Sequence, residues 1–256
     1  MIQQEQIDVT VASSARVYDY LLGGKDNFEA DRKLAAQLTQ LMPDLPIMFR
    51  AQRDLMGRIV RHLAQEHAVR QFLDIGTGIP TSPNVHEIAQ MIDATSRVVY
   101  VDNDPIVLAH ARALMRGTAE GRTCFLAADV RDPAGILDHP DVRGTLDITK
   151  PIGVLLIGIV HHIRDEEQPY GIVRRIVDWL PSGSYIAIST PSADFDPDRM
   201  NAIARIGERS GLPVVPRSKT ELARFFDGLE LLPPGVVPLL GWQPDIEPRD
   251  VNAVHG

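Results

Sequence analysis

Three carboxylates, two glycines and a pair of histidines carry the chemistry that can be read from this chain. In FLDIGTGIPT, Phe72 to Thr81, Asp74 ends an apolar run, Gly76 and Gly78 follow it, and the stretch then reads as a helix start. Glycine at such a turn lets the backbone take conformations closed to other residues and lets a ligand approach closely. A dinucleotide-binding turn has three glycines, GxGxxG, whereas here Ile79, Pro80 and Thr81 follow Gly78, so that fingerprint is incomplete. Asp74 would also set a carboxylate against a pyrophosphate, which is unfavourable in a poorly solvated cleft. A ligand with an ammonium and a sulfonium is instead attracted by the same carboxylate, and S-adenosylmethionine carries both.

Two further acids lie where an adenosine would meet them. Asp102 closes RVVYVD, 24 residues after Gly78, near the spacing of about 20 expected for an acid on ribose hydroxyls. Asn103 stands beside it. Asp129 closes TCFLAAD and suits the exocyclic amine of adenine, with the backbone of Val130 completing that recognition. His161 and His162 directly follow GVLLIGI, close to where a transferred methyl would emerge. Either is a candidate general base, since an imidazole with a pKa of about 6.5 can take a proton from a hydroxyl or ammonium nucleophile at neutral pH. The competing reading is a structural pair holding the loop, and it weighs more on His162 than on His161.

These residues need a scaffold that brings strand ends together. QFLDIG, RVVYVD, TCFLAAD, GVLLIGI and SYIAIST are short apolar runs that alternate with helical segments, the pattern of strands buried on both faces of a mostly parallel sheet. Ligands of such sheets sit beyond the carboxyl ends of the strands at the point where strand order reverses. Asp104 caps and Pro105 starts a helix that closes before Gly117. Ile47 to His67 repeats apolar residues at helical spacing and should pack on the sheet, and an earlier helix ends near Leu41. Near the C-terminus, SKTE is a capping box, LELL and VVPLLGW suggest a closing hairpin, and QPDIEPRDVNAVHG reads as a loose tail.

Composition limits the remaining choices. With 256 residues, 44% of them hydrophobic, the chain suits one compact domain, divided into an N-terminal helical cover over 1–70 and a core over 71–256. A formal net charge of -8 argues against nucleic acid as a partner, because phosphate-binding surfaces are strongly basic. One cysteine, Cys124, read as a buried strand residue, excludes an internal disulfide framework. No apolar run is long enough to cross a bilayer, and the cytoplasm is the expected compartment. DFDPDR lacks the glycine and glutamate of a calcium loop, so Asp196 is read as a helix cap and no metal site is expected. LLGGKD lacks the pattern of a nucleotide phosphate loop, yet Arg16, Tyr18, Asp19, Gly23, Gly24 and Asn27 crowd that turn and mark it as a lid or substrate wall. Arg50, Arg53, Arg58 and Arg61 read as a solvated helix face in preference to a grip on an anionic substrate.

Over roughly Gln71 to Thr190 these residues resemble a class I S-adenosylmethionine-dependent methyltransferase. More narrowly, ARVYDYLLGGKDNFEADR, QFLDIGTGIPT, VVYVDNDPIVLAHARALM, LLIGIVHHI and GLELLPPGVVPLLGWQPD are similar to an actinobacterial methyltransferase family across nearly the whole chain. The resemblance implies a Rossmann-like, seven-stranded, mostly parallel sheet with an antiparallel last strand and an N-terminal helical cover. It also implies S-adenosylmethionine as cofactor and S-adenosylhomocysteine as product, with Asp74, Gly76 and Gly78 at the cofactor turn, Asp102 on the ribose and Asp129 on adenine. Pro80 departs from the small residue common in that class. The expected activity is methyl transfer to an O or N nucleophile of a small-molecule acceptor, with a homodimer left open. A cofactor-binding sensor without turnover and a nicotinamide oxidoreductase are the rival readings. Nucleic-acid methylation is disfavoured by the charge and by IVHHI standing where an NPPY-like tetrapeptide would be.

Overall fold

The computed structural model describes residues 8–114 and 117–242. Its centre is a sheet of five parallel strands in the order β3-β2-β1-β4-β5: β1 Gln71–Ile75, β2 Arg97–Asp102, β3 Arg122–Ala127, β4 Gly153–Ile157 and β5 Tyr185–Ser189. All five apolar runs of the sequence are therefore strands. The order runs outward from β1 in both directions, so the reversal point lies between β1 and β4, where Leu73 pairs with Val154 and Asp74 with Leu155.

Side-chain alternation decides what covers each face. Phe72, Val98, Tyr100 and Leu155 point to one face, where α3 (Leu45–Glu66) packs Leu55, Ile59, Val60 and Leu63 against them and α4 (Val85–Ile92) adds Val85, Ile88 and Ala89. The other face presents Leu73, Val99, Val101, Val154 and Leu156 to α6 (Pro133–Leu137), α7 (Pro140–Thr145) and α8 (Pro169–Trp179). Leu63 is 3% exposed; truncating such a leucine to alanine costs about 2–5 kcal/mol, so α3 is a principal support of β1 and β4. The helix over Ile47 to His67 thus packs on the sheet as its apolar stripe requires.

Helices α1 (Ser14–Leu21) and α2 (Glu29–Leu41) form a separate small core through Val17, Leu21, Leu34 and Ala35, with Ile206 of α9 (Pro197–Arg209) packed against it. α5 (Pro105–Leu114) starts at Pro105 with Asp104 Oδ1 accepting from the Ile106 amide at 2.9 Å, and Asp196 caps α9 through the Arg199 amide at 2.9 Å. The SKTE capping box forms at α10 (Lys219–Ala223), where Ser218 and Glu221 exchange hydrogen bonds. Cys124 lies in β3, partly buried.

Two expectations are corrected. Among the described residues the sheet has five strands and no antiparallel one, in place of seven. LELL and VVPLLGW form no hairpin; the only regular element there is a 3-10 turn over Leu239–Gly241. Pro233, Pro234 and Pro238 explain this, because proline has no amide to donate to a ladder and fixes φ. QPDIEPRDVNAVHG lies outside the described residues. Among the described residues no helix is long and apolar enough to cross a membrane.

Candidate functional site

The glycine turn after β1 is built for close approach. Gly76 and Gly78 have φ of +78° and +69°, a region that side-chain-bearing residues rarely enter. The Gly76 amide donates to the Val101 carbonyl at 2.7 Å, folding the turn over β2. A Cβ at Gly76 would land inside the Ile159 side chain, whereas one at Gly78 would meet nothing within 4 Å. Gly76 is thus a packing requirement, and Gly78 faces open space. The helix start read at this turn lies further on: α4 begins at Val85, capped by Asn84 and Glu87, after an irregular stretch that carries Pro80 and Pro83.

Asp74 and Asp102 lie on adjacent strands, Asp102 two residues beyond Tyr100, the partner of Asp74, and they are 8% and 7% exposed. Burial pushes the Asp74 carboxyl up to about 7; the Asp102 charge adds to this and Arg53 offsets part of it. Among the described residues the Asp74 carboxyl accepts no hydrogen bond, while its backbone carbonyl accepts from Thr77 Oγ1 at 3.2 Å. A buried carboxylate in that condition is costly unless a cation comes to it. Asp102 is partly satisfied: Oδ2 accepts the Gly78 amide at 2.9 Å and Oδ1 the Asp104 amide at 2.9 Å. Burial still raises its carboxyl to about 6, against the pull of those amides and with the Asp104 charge adding to the rise. Asp102 so holds the glycine turn itself.

Asp129 is engaged differently from the sequence reading. It accepts from Asn103 Nδ2 at 2.9 Å, from the Arg131 amide at 2.9 Å, and from Arg131 Nη1 at 3.1 and 3.0 Å. Burial opposes ionisation, but these bonds and the Arg131 charge prevail and hold the carboxyl below its ordinary value. Val130, 8% exposed, packs into the core beneath. Asn103 thus serves Asp129 as well as neighbouring Asp102.

After β4 the chain turns through Gly158, φ +75°, into a 3-10 turn over Val160–His162. The His161 and His162 rings lie 4.0 Å apart. His162 Nδ1 bonds the Pro213 carbonyl at 2.7 Å, so Nδ1 is its protonated nitrogen, and the structural reading holds there. His161 Nδ1 is buried and has no hydrogen-bond partner among the described residues. Burial, then the neighbouring His162 and Arg217, push His161 well below its ordinary pKa, which keeps the ring neutral. Burial likewise lowers His162, with Arg131 adding to the effect and the Pro213 bond opposing it.

The residues expected to form a lid are satisfied internally. Asp19 accepts from the Asp26 amide at 2.9 Å and Asn27 Nδ2 at 2.8 Å, and it fills the space that a Cβ on Gly24 would need. Gly23 takes φ +88°, and the Tyr18 hydroxyl donates to the Phe49 carbonyl at 3.1 Å. Arg16, 4% exposed, pairs with Asp31 at 3.2 Å and Asp104 at 3.9 Å and lies over the Phe28 ring. Their polarity is consumed by this corner, but its position matters. Ala15 and Phe28 pack on Ile79 of the glycine turn and on Ile106 and Val107 of α5, and Ser13 Oγ donates to Asp104. The N-terminal helices therefore rest on the residues that shape the Asp102 end of the cleft.

Sequence reasoning missed several supports. Arg53 donates to the carbonyls of Thr81 and Pro83, and Arg58 to those of Leu239 and Trp242, so these two arginines are anchors and not a solvated face. Gln52 donates to Ser189 Oγ at 3.0 Å and occupies the space a Cβ on Gly158 would take. Arg131 and Arg217 bind the histidine turn. None of these has a local signature, because each reaches at least one group far along the chain: carbonyls for the arginines and the Ser189 hydroxyl for Gln52.

The parallel sheet, its glycine turn and the buried acids at the ends of β1 and β2 define an α/β cofactor-binding class. Within it, the chain belongs to the S-adenosyl methyltransferase family, whose profile matches residues 1–255. A DUF574 family protein from Streptomyces avermitilis MA-4680 is 49% identical, with 98% of this chain and 95% of that one covered and a TM-score of 0.94. A Thermobifida fusca YX protein, provisionally assigned as a methyltransferase, is 39% identical, covering 97% and 92% with a TM-score of 0.88. Among curated proteins none matches the chain. The cofactor of the family is S-adenosylmethionine, and the residues present fit it, since the buried Asp74 carboxyl, without a hydrogen bond among the described residues, calls for a cation and Gly78 faces open space in the same turn.

Proposed function

We propose that this protein transfers the methyl group of S-adenosylmethionine to an oxygen or nitrogen nucleophile of a small-molecule acceptor. The observation that carries the reading is Asp74: buried, its carboxyl without a hydrogen bond among the described residues, and next to a glycine turn that opens onto free space. In this reading Asp74 holds the ammonium of the cofactor's amino-acid end, Asp102 takes the ribose hydroxyls, and Asp129 with the Val130 backbone receives the adenine. When bound, S-adenosylmethionine supplies an electrophilic methyl on a positively charged sulfur. Alignment of the acceptor with that methyl provides much of the rate, and His161, kept neutral, takes the proton that a hydroxyl or ammonium acceptor must lose.

The helices α1 and α2 act as a cover, since they pack on Ile79 and Asp104. Trimming residues before Asp31 is expected to weaken cofactor affinity, and unchanged affinity would remove the cover from the account. The net charge of -8 supports a small acceptor over nucleic acid. A nicotinamide oxidoreductase is opposed by the same Asp74, which would set a carboxyl against a pyrophosphate. The test is calorimetric titration with S-adenosylmethionine and with NAD, using wild type and Asp102→Ala, followed by a screen for transfer of labelled methyl. Binding of S-adenosylmethionine alone, weakened in the variant, and labelled product support the reading. Binding without transfer to any acceptor would favour a sensor, and binding of NAD alone would overturn the cofactor assignment.

A further inference from the structure

The turn carrying His161 and His162 has each of its four carbonyls tied. Arg217, 2% exposed, donates to Val160 and Ile163 at 2.9 Å each, and the Val215 amide donates to His161 at 2.8 Å. These ties come from the segment after α9 and hold the turn from one side. The fourth comes from the cofactor side: Arg131 Nη2 donates to the His162 carbonyl at 2.8 Å. The same guanidinium sends Nε to Glu167 at 2.7 Å and Nη1 to both oxygens of Asp129. One planar group thus spans the acid at the end of β3 and the histidine turn at the end of β4.

We propose that Arg131 is a positioning residue that couples occupancy of the adenosine end of the cleft to the placement of the His161–His162 turn. This rests on the assignment of Asp129 to adenine made above. Asp129 already accepts from Asn103 Nδ2, the Arg131 amide and Arg131 Nη1, so an adenine amine arriving at this carboxylate shares acceptors with Arg131. Acceptor density withdrawn from Nη1 leaves the guanidinium to bind Glu167 and the His162 carbonyl more strongly. Coupling of this kind is reciprocal, so a turn held by Arg131 also favours the bound cofactor. Lysine cannot replace it, because a point charge cannot bridge three acceptors in one plane.

The coupling is read without any acceptor, by following the imidazole resonances of isotope-labelled full-length protein during titration with S-adenosylhomocysteine, with assignments from His161→Gln and His162→Gln. In the wild type, saturation moves the His162 ring signals. In Arg131→Met, S-adenosylhomocysteine still binds through Asp74 and Asp102 with affinity lowered about fivefold, a magnitude common for coupled sites, but the His162 displacement falls to less than half. Arg131→Lys behaves as the methionine variant does. Glu167→Gln, which removes one anchor of Arg131 away from the cofactor, reduces the displacement as well and serves if the first variant is unstable. A displacement as large in Arg131→Met as in wild type overturns the proposal, as does a wild type whose His162 signals ignore the ligand. Abolition of binding in Arg131→Met also overturns it, because Arg131 would then be part of the binding surface. If the wild type binds no S-adenosylhomocysteine, the cofactor assignment fails together with the coupling; binding without the displacement sinks the coupling alone.

Discussion

Replacing Asp74 by asparagine should make the protein more stable and unable to hold its cofactor. Burial raises this carboxyl from an ordinary 3.8 to about 7. Between those values the unfolded chain releases the proton while the folded protein keeps it, so each step up in pH favours unfolding. At about 1.36 kcal/mol per pH unit the penalty in the folded wild type approaches 4 kcal/mol above pH 7, an upper bound because Asp102 titrates beside it. Asparagine is nearly isosteric and carries no charge. In urea denaturation without cofactor, Asp74→Asn should gain about 2–4 kcal/mol over wild type at pH 8, with the gain shrinking as pH falls from 7 towards 4. Calorimetry at pH 8 should show cofactor affinity at least tenfold lower, since the ammonium loses its counter-charge, and wild-type affinity should rise as pH climbs through 7. Equal or lower stability of the variant at pH 8 would refute the claim that Asp74 is a buried, uncompensated charge. Undiminished affinity would refute its role in holding the cofactor.

The two glycines should separate packing from ligand approach. Gly76→Ala combines a positive φ with a collision against Ile159 and should lower the unfolding free energy from urea denaturation by more than about 2 kcal/mol, whereas Gly78→Ala should cost about 1 kcal/mol yet still block the cofactor, because its methyl enters open space; equal losses would show that both serve packing. Arg16→Met leaves the buried carboxylate of Asp31 unpaired and should cost about 3–5 kcal/mol in thermal or urea unfolding, with much of that loss regained in the double variant with Asp31→Asn; simple additivity would deny that the pair is coupled. If His161 is the base, His161→Gln should lower kcat by about 10²–10⁴-fold and His162→Gln by far less. Because His161 ionises well below its ordinary value, the rate should be level through neutral pH with its acid limb well under 6.5, and a limb at or above 6.5 would exclude it.

The five strands were legible because burial on both faces writes a continuous apolar run into each, a local signal that needs no knowledge of neighbours. Helix ends at Asp104, Asp196 and Ser218 were legible for a similar reason, since a cap is an exchange between residues two or three apart. The acids and glycines of the cofactor turn could be read from their offsets along the chain. The closing hairpin was misread because LELL and VVPLLGW have strand composition while their prolines deny them a ladder. The four arginines of α3 looked alike in sequence, yet Arg53 and Arg58 grip carbonyls brought to them by segments 28 to 184 residues away.

The sequence by itself determined the sheet, the cofactor turn and the class of chemistry, because each depends on contacts between near neighbours or on the type and spacing of residues. The tertiary structure alone decided that the Asp74 carboxyl stands without a hydrogen bond among the described residues, that Asp129 is shared with Arg131, and that His161 Nδ1 is unengaged there while His162 Nδ1 holds Pro213. Charge state and hydrogen-bond capacity follow from which distant groups fold to within a few ångströms, and no local pattern encodes that distance.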